Sequence, residues 1–591
     1  MNLENYFTDE KIIKLLCKYR ANAANKRHEV HMLRNLSLHS KTNRIQVKDT
    51  HLEFKFLQSI FPHRRKWLKL KQSERRLAKD AVTINRQRLF KSYKITKLKI
   101  ENENIDIPEW YSKLTNFITE IRKLLFDKKS SNSIITKPKI KGLKKDNKNG
   151  VITYRPIALY DIASKIICSI TAKYFIQYFE PIFHDCSFAF RGKNKNNHIP
   201  THHDCIIKIK EYKFKNPQLW VAECDIQKFF DTVQHLHVKS VFQRLSSSIE
   251  NRNLGKIDSK AIEIFDSFLE SFSFQDNIIP LNNDPVYFSS NNLPIGEFGW
   301  AEDQLKETFG EKYIEDFKLG VPQGNAISCF VANLILHEVD EIMVTLNPKP
   351  FYIRYCDDMI LMHENNSVCN DSLNSYMKAI EACFLLYHGP LQVYNYKERD
   401  ISKKFWEQKS KKPFFWGDKH INSANVPWIS FVGYQLNFYG LIRVRKSTIQ
   451  KEVRKQISET QKVLKALGKL NHRIKIDSRH ARLPSRHITF RLLQKLISMS
   501  VGRVKIHTHR FPSEQGLCWT NGFRMLEKNK ITSQQLRYLD MRRNMQIMRV
   551  KREVARINKK SKDSQYPDHL KEIYFGSAFG YHNFIKYNKP K

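Results

Sequence analysis

Apolar residues recur at helical spacing towards both ends of the chain and in short strand-like runs near its middle. Lys11-Ile12-Ile13-Lys14-Leu15-Leu16 carries one apolar stripe, and Phe56, Leu57, Ile60 and Phe61 repeat the pattern, so the first hundred residues read as helices. Pro62 and Pro108 are the expected breaks. From Ser447 onward Ile449, Val453, Ile457, Val463, Leu464 and Leu467 mark a second helical region. Between these ends, the run from Leu219 to Asp231 reads as a strand, a turn and a helix start. Trp220, Ala222, Cys224 and Ile226 share one face, Asp225 points from the other at the strand's end, and Asp231 is placed to cap a helix with the stripe Val233, Leu236, Val241 and Leu245. The run from Phe351 to Met362 flanks an acidic pair with two apolar segments, which predicts a hairpin with Asp357 and Asp358 at its tip. Residues 138–150 read as a basic Gly/Asn-rich loop, and residues 192–204 and 276–300 as polar and turn-rich. The last of these has the length of a long loop or an insertion rather than of a linker. No internal repeat is present.

Composition narrows the classes. The chain has 591 residues with 41% hydrophobic content, 38 Phe and 24 Tyr, which is too apolar for a disordered protein and long enough for several domains. No run of about 18 apolar residues exists to span a membrane. Met1-Asn2-Leu3-Glu4-Asn5 lacks the start of a secretory signal, and ten scattered Cys contain no Cys-x-x-Cys pair, which suits a reducing cytoplasm rather than a zinc ribbon. The net charge of +43 demands a polyanionic partner, nucleic acid before an anionic membrane surface. Its distribution is uneven. Residues 441–591 hold 36 Lys and Arg against 10 acids, and residues 1–100 hold 25 against 8, so a more balanced centre lies between two basic flanks. Residues 551–564 are basic and polar enough to be expected partly disordered until a partner binds.

Three segments carry chemistry. Asp225 ends its strand; Gly320-Val321-Pro322-Gln323-Gly324-Asn325 is a Gly/Pro turn feeding an apolar helix, where a ligand can approach the backbone; Asp357-Asp358 follows Tyr355-Cys356. Two carboxylates held about 4 Å apart stay ionised together only at a cost that a cation removes. Taken singly, each segment also fits a structural turn.

Their order within residues 225–358 resembles motifs A, B and C of the reverse transcriptase palm. Tyr154-Arg155-Pro156-Ile157-Ala158-Leu159, then Lys165-Ile166-Ile167, looks like the first fingers motif. Ser187-Phe188-Ala189-Phe190-Arg191-Gly192 is similar to a Ser-x-Gly-Phe-Arg segment with Ala189 in place of Gly, and Phe431-Val432-Gly433-Tyr434 resembles the primer-grip hairpin. The resemblance spans roughly residues 140–470. It implies an α+β right-hand polymerase: fingers over 111–215, a palm with an antiparallel sheet over 216–440 with an insertion near 250–315, and the start of a helical thumb over 441–480. Residues 1–110 would be a basic helical extension and 481–591 a basic helical C-terminal region.

The resemblance also implies the site. Asp225, Asp357 and Asp358, with the Ile226 carbonyl, would hold two Mg²⁺ ions, for which Mn²⁺ is the substitute. Arg155 would contact the triphosphate together with Lys148, although Lys144 and Lys145 compete for that place. Gln323 and Gly324 would line the nucleotide pocket, and Lys397 would sit where a proton-donating lysine is expected. Phe230, five positions after Asp225, would crowd the sugar C2′ and favour deoxynucleotides. Tyr355, Cys356, Phe431, Gly433 and Tyr434 would meet primer and template.

No Val-Thr-Gly in the thumb region, no trailing endonuclease and no RNase H region is found, which leaves a resemblance to stand-alone bacterial enzymes of unknown-group, abortive-infection and antiphage-defence type. Such an enzyme would copy an RNA template, a dedicated noncoding RNA among the candidates, into DNA from dNTPs in the cytoplasm, as a homo-oligomer or with an accessory protein. Open beside it are a retron- or intron-type enzyme, protein-primed or untemplated synthesis, an RNA-making polymerase, and a non-catalytic RNA-binding protein of polymerase shape.

Overall fold

The computed structural model describes residues 2–37, 52–77, 81–103, 105–127, 133–148, 150–392, 404–417, 428–468, 492–493, 495–497, 499–500, 519–560 and 579. The chain forms two compact units, one built from residues 1–12, 117–432 and 437–440, the other from 13–116, 433–436 and 441–591. The elements used below are α1 (Asp9–Ser37), α2 (Leu52–Ser59), α3 (Ala81–Glu103), α4 (Glu109–Phe126), β1 (Lys139–Lys148), β2 (Val151–Leu159), α5 (Ile162–Phe179), α6 (His202–Lys215), β3 (Leu219–Glu223), β4 (Ile226–Gln227), α7 (Phe229–Thr232), α8 (His235–Asn251), α9 (Ser259–Glu270), α10 (Ala326–Thr345), β5 (Phe351–Tyr355), β6 (Asp358–His363), α11 (Asn366–Ala382), β7 (Leu386–Tyr387), β8 (Lys411–Trp416), β9 (Ile429–Phe431), β10 (Tyr434–Leu436), β11 (Ile442–Val444), α12 (Lys446–Gly468) and α13 (Lys530–Lys560).

In the first unit an antiparallel sheet runs in the order β5-β6-β3-β8. Its central strand is apolar on both faces, with Leu219, Val221 and Ala222 all buried, so the one-face alternation expected for residues 220–226 does not hold. Helices supply the cover. α10 has a nearly unbroken apolar sequence, from Ile327 through Phe330, Val331, Leu334 and Ile335 to Val339 and Met343, and every one of these is buried. Phe330 meets Phe175 of α5 at 5.0 Å between ring centroids, and Phe242 of α8 stacks on Phe265 of α9 at 4.4 Å. Such aromatic pairs each contribute about 0.5–1.5 kcal/mol beyond their burial and tie four helices into one core. This is the α+β palm architecture expected from the sequence.

Two segments differ from the sequence expectation. Residues 139–148 are a strand and not a loop: β1 pairs antiparallel with β2 from Lys139↔Leu159 to Lys148↔Val151. The stretch 276–300 is not an irregular loop either. Phe288 and Phe298 are buried with Tyr154, Phe272, Phe274 and Ile278, and the backbone of Glu297 exchanges hydrogen bonds with Ile152 (3.0 Å) and Tyr154 (2.8 Å). The insertion thus packs along β2. Gly296 lets it approach, since a Cβ there would lie 2.2 Å from the Ile152 carbonyl oxygen.

The second unit is largely helical. Ile13, Leu16 and Cys17 of α1 are buried, as are Leu57, Ile60 and Phe61, where the apolar stripes predicted them. α2 ends before Pro62 and α4 begins just after Pro108. α12 packs lengthwise on α13, with Ile449, Val453 and Val463 buried on one helix and Leu536, Leu539, Ile547 and Val550 on the other. Gln535 clamps β11 to α13, donating to the Val444 carbonyl (2.8 Å) and accepting from its N–H (3.0 Å). Among the described residues no helix is long and apolar enough to cross a membrane.

Candidate active site

The hairpin of β5 and β6 closes through a two-residue turn, Cys356-Asp357, with Tyr355 paired to Asp358. The tip is therefore one residue earlier than the sequence suggested, and Asp358 is the first residue of a strand. Cys356 takes φ +60°, a conformation that a two-residue hairpin normally gives to Gly or Asn, so the turn holds backbone strain at this point. What brings the third acid there is sheet register. β3 pairs with β6 as Trp220↔His363, Val221↔Met362 and Ala222↔Leu361, and the same register continued past the end of β3 sets Asp225 opposite Asp358 as an isolated bridge. Directly opposed residues in an antiparallel pair have Cβ atoms about 4.5–5.5 Å apart on one face. Burial first, and the charge of Asp225 as a further cause, push the Asp357 carboxyl above its ordinary range.

A cation already answers this charge. Lys409 places its Nζ 2.5 Å from Asp225 Oδ2 and 3.3 Å from His388 Nε2. Ser410 next to it accepts through its Oγ from the Asp225 N–H (2.9 Å), and the Asp225 carbonyl accepts from the His388 N–H (2.9 Å). Lys411 follows in β8, where its buried ammonium pairs with Glu223. Burial, then the Lys409 charge, hold the His388 imidazole below its usual value. Lys409 and His388 were missed in the sequence, which pointed to Lys397; that residue lies outside the described ones. The alternating Lys409-Ser410-Lys411 was the only available signal. Three carboxylates beside a lysine ammonium, with oxygen as the only charged donor type, are a donor set that fits a hard divalent ion.

Beside the acids lies a polar cluster. Asp231 does not cap a helix: it is buried within α7, and Gln323 donates to its Oδ1 from 2.8 Å. Burial raises the Asp231 carboxyl despite the nearby charges of Lys228, Lys145 and Arg155. Lys228 sits at φ +53° and donates to the Gly299 carbonyl; burial, with the charges of Lys145, Arg155 and Lys409, holds its ammonium below the ordinary lysine value. Of the two candidate lysines in β1 with described side chains, Lys144 and Lys145, it is Lys145 whose charge reaches this cluster. It is the bulge residue, unpaired between Lys144↔Tyr154 and Asp146↔Thr153, and a bulge re-aims a side chain out of the ladder. Lys148 ends β1, and its side chain lies outside the described residues. Arg155 is exposed on β2, opposite Leu143.

Phe230 is half-buried, its ring 5.1 Å from that of Phe229, and its carbonyl accepts from the Val321 N–H at 2.8 Å. That bond and the one from Gly320 N–H to the Val233 carbonyl (2.8 Å) lash the Gly320–Gln323 turn to α7. Gly324 has φ +96° with open space where a side chain would stand. The remaining candidates are spread out. Tyr355 is half-buried, with His202 at 6.2 Å between ring centroids. Phe431 is buried in the first unit; Gly433 (φ +87°) and Tyr434 belong to the second, where Tyr434 is fully buried and donates from its hydroxyl to the Gly522 carbonyl at 3.2 Å.

Comparison with known proteins follows this geometry. Residues 135–387 match the family described as reverse transcriptase (RNA-dependent DNA polymerase). No curated protein matches the chain in sequence. Among solved structures, apo telomerase from Candida tropicalis aligns at 11% identity and TM-score 0.31, over 76% of this chain and 65% of that one. Telomerase from Candida albicans, in complex with a TWJ fragment of telomeric RNA, aligns at 10% identity and TM-score 0.30, over 77% and 67%. The chain thus spans about 65% of the length of the first of these structures.

Proposed function

With residues 135–387 a reverse transcriptase domain, of the RNA-directed DNA polymerase class of nucleotidyltransferases, we propose that the whole protein extends a primer 3′ end with deoxynucleotides, copying an RNA template. The observation that carries this reading is the shared register of β3 and β6, which sets Asp225 opposite Asp358 beside the Cys356-Asp357 turn. Asp225, Asp357 and Asp358, with the Ile226 carbonyl, would hold the two Mg²⁺ ions. Such ions supply activation of the attacking 3′-oxygen and neutralisation of the leaving pyrophosphate.

The chain's own residues then bind and orient. Lys145, Arg155 and Lys228 bring three positive charges near Asp231, an arrangement suited to a triphosphate. Phe230 is held by its backbone to the Gly320–Gln323 turn, so its ring is a fixed wall where the sugar of the incoming nucleotide would lie. Lys409 is in hydrogen-bond reach of Asp225 and is placed to give a proton to the pyrophosphate. The basic flanks would grip the nucleic acid through phosphate contacts, with salt-dependent affinity.

Purified protein with Mg²⁺, dNTPs or NTPs and its co-purifying RNA tests this. DNA product is expected from dNTPs, abolished in Asp357→Asn, with ribonucleotide use appearing in Phe230→Ala. No product of either kind would favour an RNA-binding protein of polymerase shape. The finer reading, a bacterial antiphage enzyme working in the cytoplasm on a dedicated noncoding RNA, alone, as a homo-oligomer or with an accessory protein, extends the resemblance carried by the motifs of residues 140–470. Sequencing the nucleic acid bound to the protein checks it: one recurrent RNA species supports the reading, and a broad transcript mixture removes it.

A further inference from the structure

Away from the acids, α10 carries His337 and Glu341 one turn apart, and the segment that follows α5 supplies His184. One ligand atom from each of the three lies within 4.8 Å of the others. His337 is only 2% exposed, with its ring stacked on that of His184 at 5.0 Å and edge-on to Phe183 at 5.6 Å. Its Nδ1 has no hydrogen-bond partner, so no hydrogen bond at that atom fixes the tautomer of a buried imidazole. Its Nε2 stands 3.4 Å from Glu341 Oε1. That is long for a charge-assisted hydrogen bond, which closes to about 2.7–2.9 Å. It is close to the edge of a tetrahedron, roughly 3.3 Å, whose centre makes zinc-like bonds of about 2.0–2.1 Å.

We propose that His184, His337 and Glu341 form a binding site for a zinc-class divalent ion, with water completing a tetrahedral set. Two imidazoles and one carboxylate favour Zn²⁺ or Co²⁺ over Mg²⁺, which prefers oxygen throughout. The competing cation is Arg244, whose Nη1 is 3.8 Å from Glu341 Oε2; it also pairs with Glu338, which retains it when an ion takes Glu341. The site's place suggests its use. Cys186 accepts from the Arg354 N–H at 2.8 Å, and the Arg354 carbonyl accepts from the Phe188 N–H at 3.1 Å, so the segment after His184 runs along β5. Asp340, next to Glu341, holds the Arg354 side chain. An ion bridging His184 to α10 closes a ring around Arg354, two residues before the Cys356-Asp357 turn.

The test uses full-length protein stripped with chelator, then given Zn²⁺ or Co²⁺ in the presence of excess Mg²⁺, with bound metal counted and the Co²⁺ visible spectrum recorded. One equivalent with a tetrahedral-type spectrum is expected, together with a rise in Tm. Affinity should fall at least about tenfold in His184→Ala and in Glu341→Gln. Both positions are partly exposed, so these variants keep the fold even if His337→Gln does not. Asp357→Asn should retain the equivalent, which separates this site from the polymerase acids. Absence of zinc uptake over Mg²⁺, or full affinity in both His184→Ala and Glu341→Gln, overturns the proposal.

Discussion

Gln323 donates its side-chain N–H to the buried carboxyl of Asp231 across 2.8 Å and 92 positions of sequence. The bond joins the turn before α10 to α7, and so fixes the ring of Phe230, which precedes Asp231, relative to the open backbone of Gly324. Removing the amide in Gln323→Leu leaves a buried acceptor short of a donor, a loss of about 1–3 kcal/mol. A lower urea midpoint with an unchanged m-value is expected, and a rise of roughly tenfold in KM for dNTPs if the pocket loosens by about 1.4 kcal/mol. A variant with wild-type midpoint and KM would remove Gln323 from this role.

Lys409 occupies the cation position at Asp225, so a divalent ion must displace its ammonium. Lys409→Met should lower the Mg²⁺ concentration that gives half-maximal synthesis, while slowing the maximum rate about 10²-fold through loss of a proton donor. A magnesium titration of steady-state rates checks both halves, with Lys397→Met measured alongside to compare the two lysines.

Arg354 and Asp340 are each 1% exposed and joined by bonds from Nε (2.7 and 2.9 Å) and Nη2 (2.7 Å), with the Tyr352 hydroxyl donating to the same carboxylate at 2.9 Å. Arg354 Nη1 also donates to Asn333 Oδ1 at 3.1 Å, which anchors β5 to α10 from a second point. Asp340→Ala strands a guanidinium in the core. A destabilisation of about 3–5 kcal/mol is expected by chemical denaturation. Arg354→Lys should recover only part of it, since a lysine cannot reproduce the planar fork.

Stability should also depend on pH through His235. Burial, with Lys239 and Lys318 nearby and Asp276 partly opposing them, holds this imidazole below its ordinary 6.5, while its Nε2 meets the Gly320 carbonyl at 2.7 Å. The unfolded chain therefore takes up a proton near pH 6.5 that the native chain refuses. The stability this group contributes is full above that pH and declines as pH falls through the window below it, by at most about 1.4 kcal/mol per pH unit. Midpoints measured from pH 7.5 to 5 should drop, and His235→Asn should flatten the curve.

Much of this was open to sequence reading because it depends on neighbours in the chain. Helical stripes at Ile12–Leu16 and Phe56–Phe61 report a 3.6-residue repeat wherever they occur, and the three acids stand out within short local motifs. Residues 138–150 misled because Lys, Gly and Asn have low strand propensity, and pairing with β2 overrode it. Asp231 looked like a cap because its burial depends on Gln323, and nothing near it in sequence announces that contact.

The sequence alone determined the helical regions towards both ends and the identity of the acidic, apolar and basic positions, since these follow from side-chain chemistry and spacing. Only the tertiary structure decided where they meet. The β3–β6 register placed Asp225 against Asp358, a bulge turned Lys145 towards Asp231, and Lys409 came to Asp225 from 184 residues away. Periodicity is written in consecutive residues, whereas register and long-range ion pairs are settled by which distant surfaces bury each other most completely.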